Sequence, residues 1–185
     1  MNKTTYQIIL GSMLGDGGIT KNDPACKNYC FKEYVVWKTK MLSELGAKCY
    51  TQKRPELFTA TRPIYTRIRK EMYGIQNHKN KIMKSHKNID LFGLLIWYLD
   101  DGTWQQGQLS IKCESFPKND LSNLISLINK KYQLSLVVYD YEYTRMIAFR
   151  KASAKKVLPK WHDLFKKHDI PSTMKYKLTG EKWPY

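Results

Sequence analysis

Two aspartates, Asp16 and Asp101, each stand at the end of an apolar run and directly before a glycine. The runs are Tyr6-Gln-Ile-Ile-Leu-Gly-Ser-Met-Leu-Gly-Asp-Gly17 and Leu91-Phe-Gly-Leu-Leu-Ile-Trp-Tyr-Leu-Asp-Asp-Gly102, about half a chain apart. Both read as helices, and a carboxylate at a helix C-terminus faces the negative end of the macrodipole unless a cation offsets it. The same arrangement twice asks for a metal. Gly11 and Gly15, four apart, suit a second helix packing at close range. Two carboxylates brought together at such a junction can hold divalent cations about 4 Å apart, the arrangement suited to phosphodiester hydrolysis. The plain alternative, that Gly17 and Gly102 cap helices and each Asp is a turn residue, fits one motif well and a matched pair poorly.

The chain around these motifs has 185 residues, enough for one compact domain or two closely joined halves. A net charge of +16, from 32 Lys plus Arg against 16 Asp plus Glu, points to a polyanionic partner. A membrane partner is disfavoured, because the longest apolar stretch, Leu91 to Leu99, is about half of what a spanning helix needs. Cys26, Cys30, Cys49 and Cys113, without a signal-peptide pattern, read as reduced thiols in an intracellular protein. Mitochondrial, plastid, bacterial and phage hosts all fit. The cysteines lack paired C-x-x-C spacing and the histidines cluster with none of them, which argues against zinc.

The elements that must position the aspartates form a repeat, αββαββα used twice. In the first half, Tyr29 to Trp37 reads as a strand and Lys38 to Leu45 as a short helix stopped by Gly46. Strands are expected near Lys48 to Arg54 and Ile64 to Lys70, with a helix from Glu71. In the second half, Gln108 to Glu114 alternates as a half-buried strand, and Pro117 opens an amphipathic helix, Lys118 to Tyr132. Strands near Leu134 to Tyr139 and Tyr143 to Arg150 precede a last helix, Ser153 to Lys166. The halves divide at residues 1–87 and 88–185.

Leu10-Gly-Ser-Met-Leu-Gly-Asp-Gly17 and Leu94-Leu-Ile-Trp-Tyr-Leu-Asp-Asp-Gly102 resemble the two signature helices of a LAGLIDADG homing endonuclease in its single-chain, two-motif form. Trp37-Lys-Thr-Lys40, Ser115-Phe116 and Ile170-Pro-Ser-Thr-Met-Lys-Tyr-Lys-Leu178 carry the resemblance across nearly the whole chain. It implies an α+β fold with a pseudo-twofold axis: two antiparallel saddle sheets and two packed signature helices between them. It also implies Mg²⁺, with Mn²⁺ or Ca²⁺ able to occupy the same sites, held by Asp16 and Asp101 with the backbone carbonyls of Gly15 and Asp100. The family's acidic position matches Asp101, which directly precedes Gly as Asp16 does. A lysine near the end of each half is implied to polarise the attacking water. Lys177 is the second, and Lys81, in preference to Lys79, is the first. Glu114 and Trp37 stand where relatives often carry a water-ordering Gln.

Period-2 alternation puts Tyr65, Arg67 and Arg69 on one strand face, and Lys48, Tyr50, Gln52 and Arg54 repeat that basic, aromatic pattern. Ser110, Lys112 and Glu114 do so in the second half, and Arg145 and Arg150 can both point outward. Lys21, Lys32, Tyr34 and Arg62 join this surface, which can read base edges in a major groove while its cations hold phosphates. The expectation is therefore a monomeric, metal-dependent endonuclease acting on double-stranded DNA at a long, specific site. The competing reading is an intron maturase holding host RNA, or a DNA-binding regulator with a dead site. Its signature would be loss of the Asp or Lys residues, and they are present. The motifs also differ: Asp16 follows a Gly-rich helix, whereas Asp101 follows a bulkier helix and an extra carboxylate, Asp100. Two similar but unequal half-sites are expected.

Overall fold

A computed structural model of the chain describes residues 1–19, 26–29, 31–51, 55–73, 86–105, 107–141 and 144–180. Two helices, α1 (Lys3–Leu14) and α4 (Leu91–Asp101), pack against each other at its centre. Each is apolar on nearly every side, the pattern of a helix buried all round, and each begins on a side-chain cap. Asn2 accepts from the Thr5 amide at 2.8 Å, and Asp90 accepts from the Phe92 and Gly93 amides at 2.9 and 3.0 Å. Glycine sets the spacing between the helices, for a Cβ on Gly11 would fall 2.4 Å from the Gly93 carbonyl oxygen.

Each helix leads into a four-stranded antiparallel sheet. The first holds β1 (Gly18–Ile19), β2 (Cys26–Tyr29), β3 (Lys48–Tyr50) and β4 (Glu56–Phe58), in the order β1-β2-β4-β3. The second holds β5 (Gly102–Gln105), β6 (Gln108–Lys112), β7 (Leu136–Tyr141) and β8 (Thr144–Phe149), in the matching order β5-β6-β8-β7. With α2 (Lys32–Met41), α3 (Pro63–Tyr73), α5 (Lys118–Tyr132) and α6 (Lys151–Lys167), the expected double αββαββα is what forms. A short α7 (Tyr176–Thr179) closes the described chain.

One face of each sheet packs on helices and the other is open. In the second sheet Leu109, Ile111, Leu136, Ile147 and Phe149 are buried on the helix side. There Tyr98, Phe149 and Trp161 build an aromatic cluster, with Tyr98 and Trp161 stacked at 4.9 Å. In the first sheet Leu57 faces inward beside Cys49, its register partner.

Two segments of the first half differ from their expected form. Tyr29 to Trp37 reads as a strand because it is rich in aromatic and β-branched residues, yet from Lys32 it is helix α2, with Tyr34, Val35, Trp37 and Lys38 as its buried face. Ile64 to Lys70 belongs to α3. Its alternation is real, but Tyr65 and Ile68, three apart, are the buried pair, and Pro63 at the first helical position favours that start.

Candidate metal and nucleic-acid site

The C-terminal ends of α1 and α4 come together. Gly15 caps α1, its amide donating to the Gly11 carbonyl at 3.0 Å, and Asp16 follows it, exposed. Asp101 is the last residue of α4 and is half-buried. Between them lies Asp100, whose Cβ occupies the space a side chain on Gly15 would need: a Cβ there would sit 2.4 Å away. Neither helix carries a basic residue in its last turn, so the carbonyl ends and the acids gather negative charge with no cation of their own.

Two lysines from other elements supply it. Lys38 of α2 donates through Nζ to both carboxylate oxygens of Asp100, at 2.7 and 2.9 Å, and neither side chain is exposed. Lys177 of α7 is also buried and donates to the Asp100 backbone carbonyl at 2.9 Å. Burial pushes the Asp100 carboxyl above the usual carboxylate range, Lys38 draws it back by charge and hydrogen bonding, Asp16 raises it, and Lys177 lowers it. Asp16, Lys38, Asp100 and Lys177 thus feel one another within a single site. Tyr98 holds α7 in place, its hydroxyl donating to the Lys177 carbonyl at 2.6 Å, and burial raises that hydroxyl's pKa strongly.

Lys38 is the member that the sequence reading missed. A signal existed, since the extra carboxylate of Asp100 at an apolar helix end needs a cation. Trp37 is buried as well, its Nε1 donating to the His168 carbonyl at 2.7 Å. Glu114 is exposed, just past the end of β6.

Of the expected DNA-contacting residues, Lys48 and Tyr50 lie on the open face of the first sheet, where the exposed Tyr50 ring stacks on Phe58 at 4.9 Å. Ser110 and Lys112 lie on the open face of the second, beside Met146 and Tyr139. Lys32, Arg62, Arg67 and Arg150 are exposed on helices or at their starts, and Arg69 is half-buried. Three assignments are corrected. Tyr34 and Tyr65 are core residues with no exposed surface, because helical rather than strand periodicity turns them inward. Arg145 shares the helix-side face of β8 with Ile147; it donates to Asp140 at 2.9 Å and to the Phe116 carbonyl. Lys21, Gln52, Arg54 and Lys81, with the alternative Lys79, fall outside the described residues.

Asp16, Asp101 and the Gly15 and Asp100 carbonyls, the last of which accepts from Lys177, would offer a hard divalent cation oxygen donors alone. Mg²⁺ commonly takes one or two carboxylates and completes its shell with water and phosphate oxygens. Among the described residues no group of three His, Cys, Asp or Glu side chains forms a protein cage for a metal.

Two apolar helices packed side by side with paired acids at their C-terminal ends, each feeding an open antiparallel sheet, define a duplicated α+β scaffold. The model of the LAGLIDADG DNA endonuclease family matches residues 6–157, and the chain belongs to that family. The fold resembles the homing endonuclease I-WcaI bound to its DNA recognition sequence, with TM-score 0.77 and 21% identity over 96% of this chain and 86% of that one. It also resembles I-DmoI in complex with DNA and Ca, with TM-score 0.56 and 13% identity over 91% and 90% of the two chains. Among curated proteins, the cytochrome b mRNA maturase bI2 of Saccharomyces cerevisiae is 26% identical, covering 96% of this chain and 48% of its own length. Protein RecA of Mycobacterium shimoidei is 25% identical over 54% of this chain and 26% of its own length. The chain thus spans about a quarter to a half of these curated relatives.

Proposed function

We propose that this protein is a site-specific endonuclease that hydrolyses both strands of a long DNA target with the help of divalent cations. The observation that carries the reading is the meeting of the α1 and α4 ends, which sets the Gly15–Asp16 turn against Asp100, the residue before Asp101. Mg²⁺, or Mn²⁺ or Ca²⁺ in its place, would be held by Asp16, Asp101 and the carbonyls of Gly15 and Asp100. When bound, it lowers the pKa of a water and neutralises charge on the scissile phosphates. Lys177 sits where its ammonium adds positive charge beside the Asp100–Asp101 peptide, and Lys81 is assigned the corresponding part in the first half. The open sheet faces, with Lys48, Tyr50, Ser110 and Lys112, would follow the groove of the duplex, and a net charge of +16 favours its phosphates. The protein acts as a monomer whose halves, 1–87 and 88–185, each contribute one acid.

The test is incubation of the purified protein with a randomised duplex library and Mg²⁺, followed by sequencing of the cut ends. Recovery of one long consensus supports the reading. Wild-type cleavage by Asp16→Asn or Asp101→Asn refutes the site.

A second reading, RNA binding on the same scaffold as in an intron maturase, is favoured by one surface. Helix α6 packs its Ala154, Val157 and Trp161 face inward and exposes Lys151, Lys155, Lys156, Lys160, Lys166 and Lys167. That is a basic surface on the helix side, away from the open sheet face. A splicing assay of an intron encoding the protein, with Lys155→Glu/Lys160→Glu as control, separates this role from cleavage.

A further inference from the structure

We propose that Lys38 and Asp100 act as a positioning pair that sets the Asp101 carboxylate and the Gly15–Asp16 turn for metal-dependent cleavage; this rests on the endonuclease reading above. Lys38 lies on α2, an element that carries neither signature acid, yet its ammonium reaches across to the second half and grips both Asp100 oxygens at 2.7 and 2.9 Å. The Tyr34 ring, 4.5 Å from Nζ, covers the ammonium. The backbone carbonyl of Asp100 is held by Lys177 at 2.9 Å. Asp100 is therefore restrained at its side chain and at its main chain, and the peptide leading into Asp101 has little freedom to turn. The same residue abuts Gly15, with no space for even a Cβ between them, so its placement also fixes the turn that presents Asp16.

Stability alone does not account for such a pair. Withdrawing an ammonium and a carboxylate from water costs about what their attraction returns, and apolar groups of similar volume usually serve a core as well or better. What an apolar pair cannot supply is direction. A doubly hydrogen-bonded carboxylate has one orientation, and here that orientation is imposed one residue before a metal-holding acid. Supporting residues behind metal ligands are worth about 10–100-fold in metal affinity or activity.

The experiment uses the duplex selected by the wild-type protein. Lys38→Met/Asp100→Leu replaces the pair with apolar side chains and leaves no buried charge. Lys38→Gln/Asp100→Asn keeps the shape and a hydrogen bond and likewise leaves no buried charge. The expected result is a folded variant with wild-type target affinity in Ca²⁺, single-turnover cleavage slowed at least about tenfold, and a Mg²⁺ midpoint raised several-fold. A folded variant with wild-type rate and Mg²⁺ dependence overturns the proposal. So does failure of both variants to fold, which makes the pair a staple of the core. A wild-type protein that cuts no duplex overturns the endonuclease reading, and the positioning role with it.

Discussion

Gly11 and Gly93 meet so closely that a Cβ on Gly11 would lie 2.4 Å from the Gly93 carbonyl oxygen and 2.6 Å from the Ile96 Cβ. Neither neighbour is the free end of a flexible side chain, so Gly11→Ala must push α1 and α4 apart. The expected cost is about 1–3 kcal/mol, a fall of about 2–12 °C in melting temperature for a chain of this length. Cleavage should fall more than DNA affinity, because the separated helices carry the two acids. A Gly11→Ala protein with wild-type melting temperature would contradict the contact.

Gln7 joins the halves by a different means. Buried on α1, it accepts from the Asp90 amide at 2.8 Å and donates to the Asn88 carbonyl at 3.0 Å. Gln7→Leu strands both backbone groups, each at a cost of about 1–3 kcal/mol. Thermal unfolding should report a loss of at least that of one group, and amide exchange should quicken first at residues 88–90.

Asp16→Asn and Asp101→Asn are each expected to slow cleavage by more than about 100-fold, beyond what loss of a supporting residue causes. The defects should differ by strand, because Asp101 adjoins the buried Asp100, Lys38 and Lys177 cluster whereas Asp16 lies exposed after Gly15. Nicking assays with each strand end-labelled measure this. Matching strand-by-strand defects would exclude unequal half-sites.

Salt dependence distinguishes phosphate contacts from structural cations. Lys48→Ala and Lys112→Ala should each lower the slope of log affinity against log salt by about 0.9. Arg145→Ala should leave the slope nearly unchanged and reduce stability, since its guanidinium holds Asp140 and the Phe116 carbonyl on the helix side. A full unit of slope lost on Arg145→Ala would reverse that assignment.

His168 introduces a pH dependence. Its ring stacks on Phe92 at 4.1 Å, and burial, then Lys167, holds its pKa below the usual 6.5. The unfolded chain therefore takes up the proton first. The stability contributed is full above about pH 7 and is lost as the pH falls through 6.5 toward the lower folded value. The melting-temperature advantage of wild type over His168→Asn should shrink between about pH 7.5 and about pH 5.5. An advantage that grows on acidification would contradict the shift.

The duplicated frame was legible because it rests on patterns that local chemistry enforces. An all-apolar helix ending in Asp-Gly recurs, and the Leu121, Leu124, Ile125 and Ile128 stripe specifies α5 over its observed span. The errors arose where one composition suits two periods. Tyr34, Val35 and Trp37 favour a strand as readily as a helix face, and the Ile64–Lys70 alternation satisfies a spacing of two until Tyr65 and Ile68 pair across a turn. Both segments become helical through tertiary burial, which propensity does not report. Lys38 is harder to single out for another reason: Asp100 signals the need for a cation but not which of the many lysines meets it. A lysine is ordinarily solvated, and only the position of Asp100 in the partner half makes burial of this one tolerable.

Asp100 and Gly15 occupy equivalent positions, one residue before the Asp-Gly pair in each half, and they face each other across the helix contact. Two copies of the first half would set glycine against glycine and bury Lys38 with no acid to receive it. Two copies of the second half would drive one Asp100 carboxylate against another without Lys38 of α2 to receive either. Each half thus rejects its own kind and accepts the other. The contact discriminates self from non-self, and cutting the chain in two would leave each half without the surface it fits.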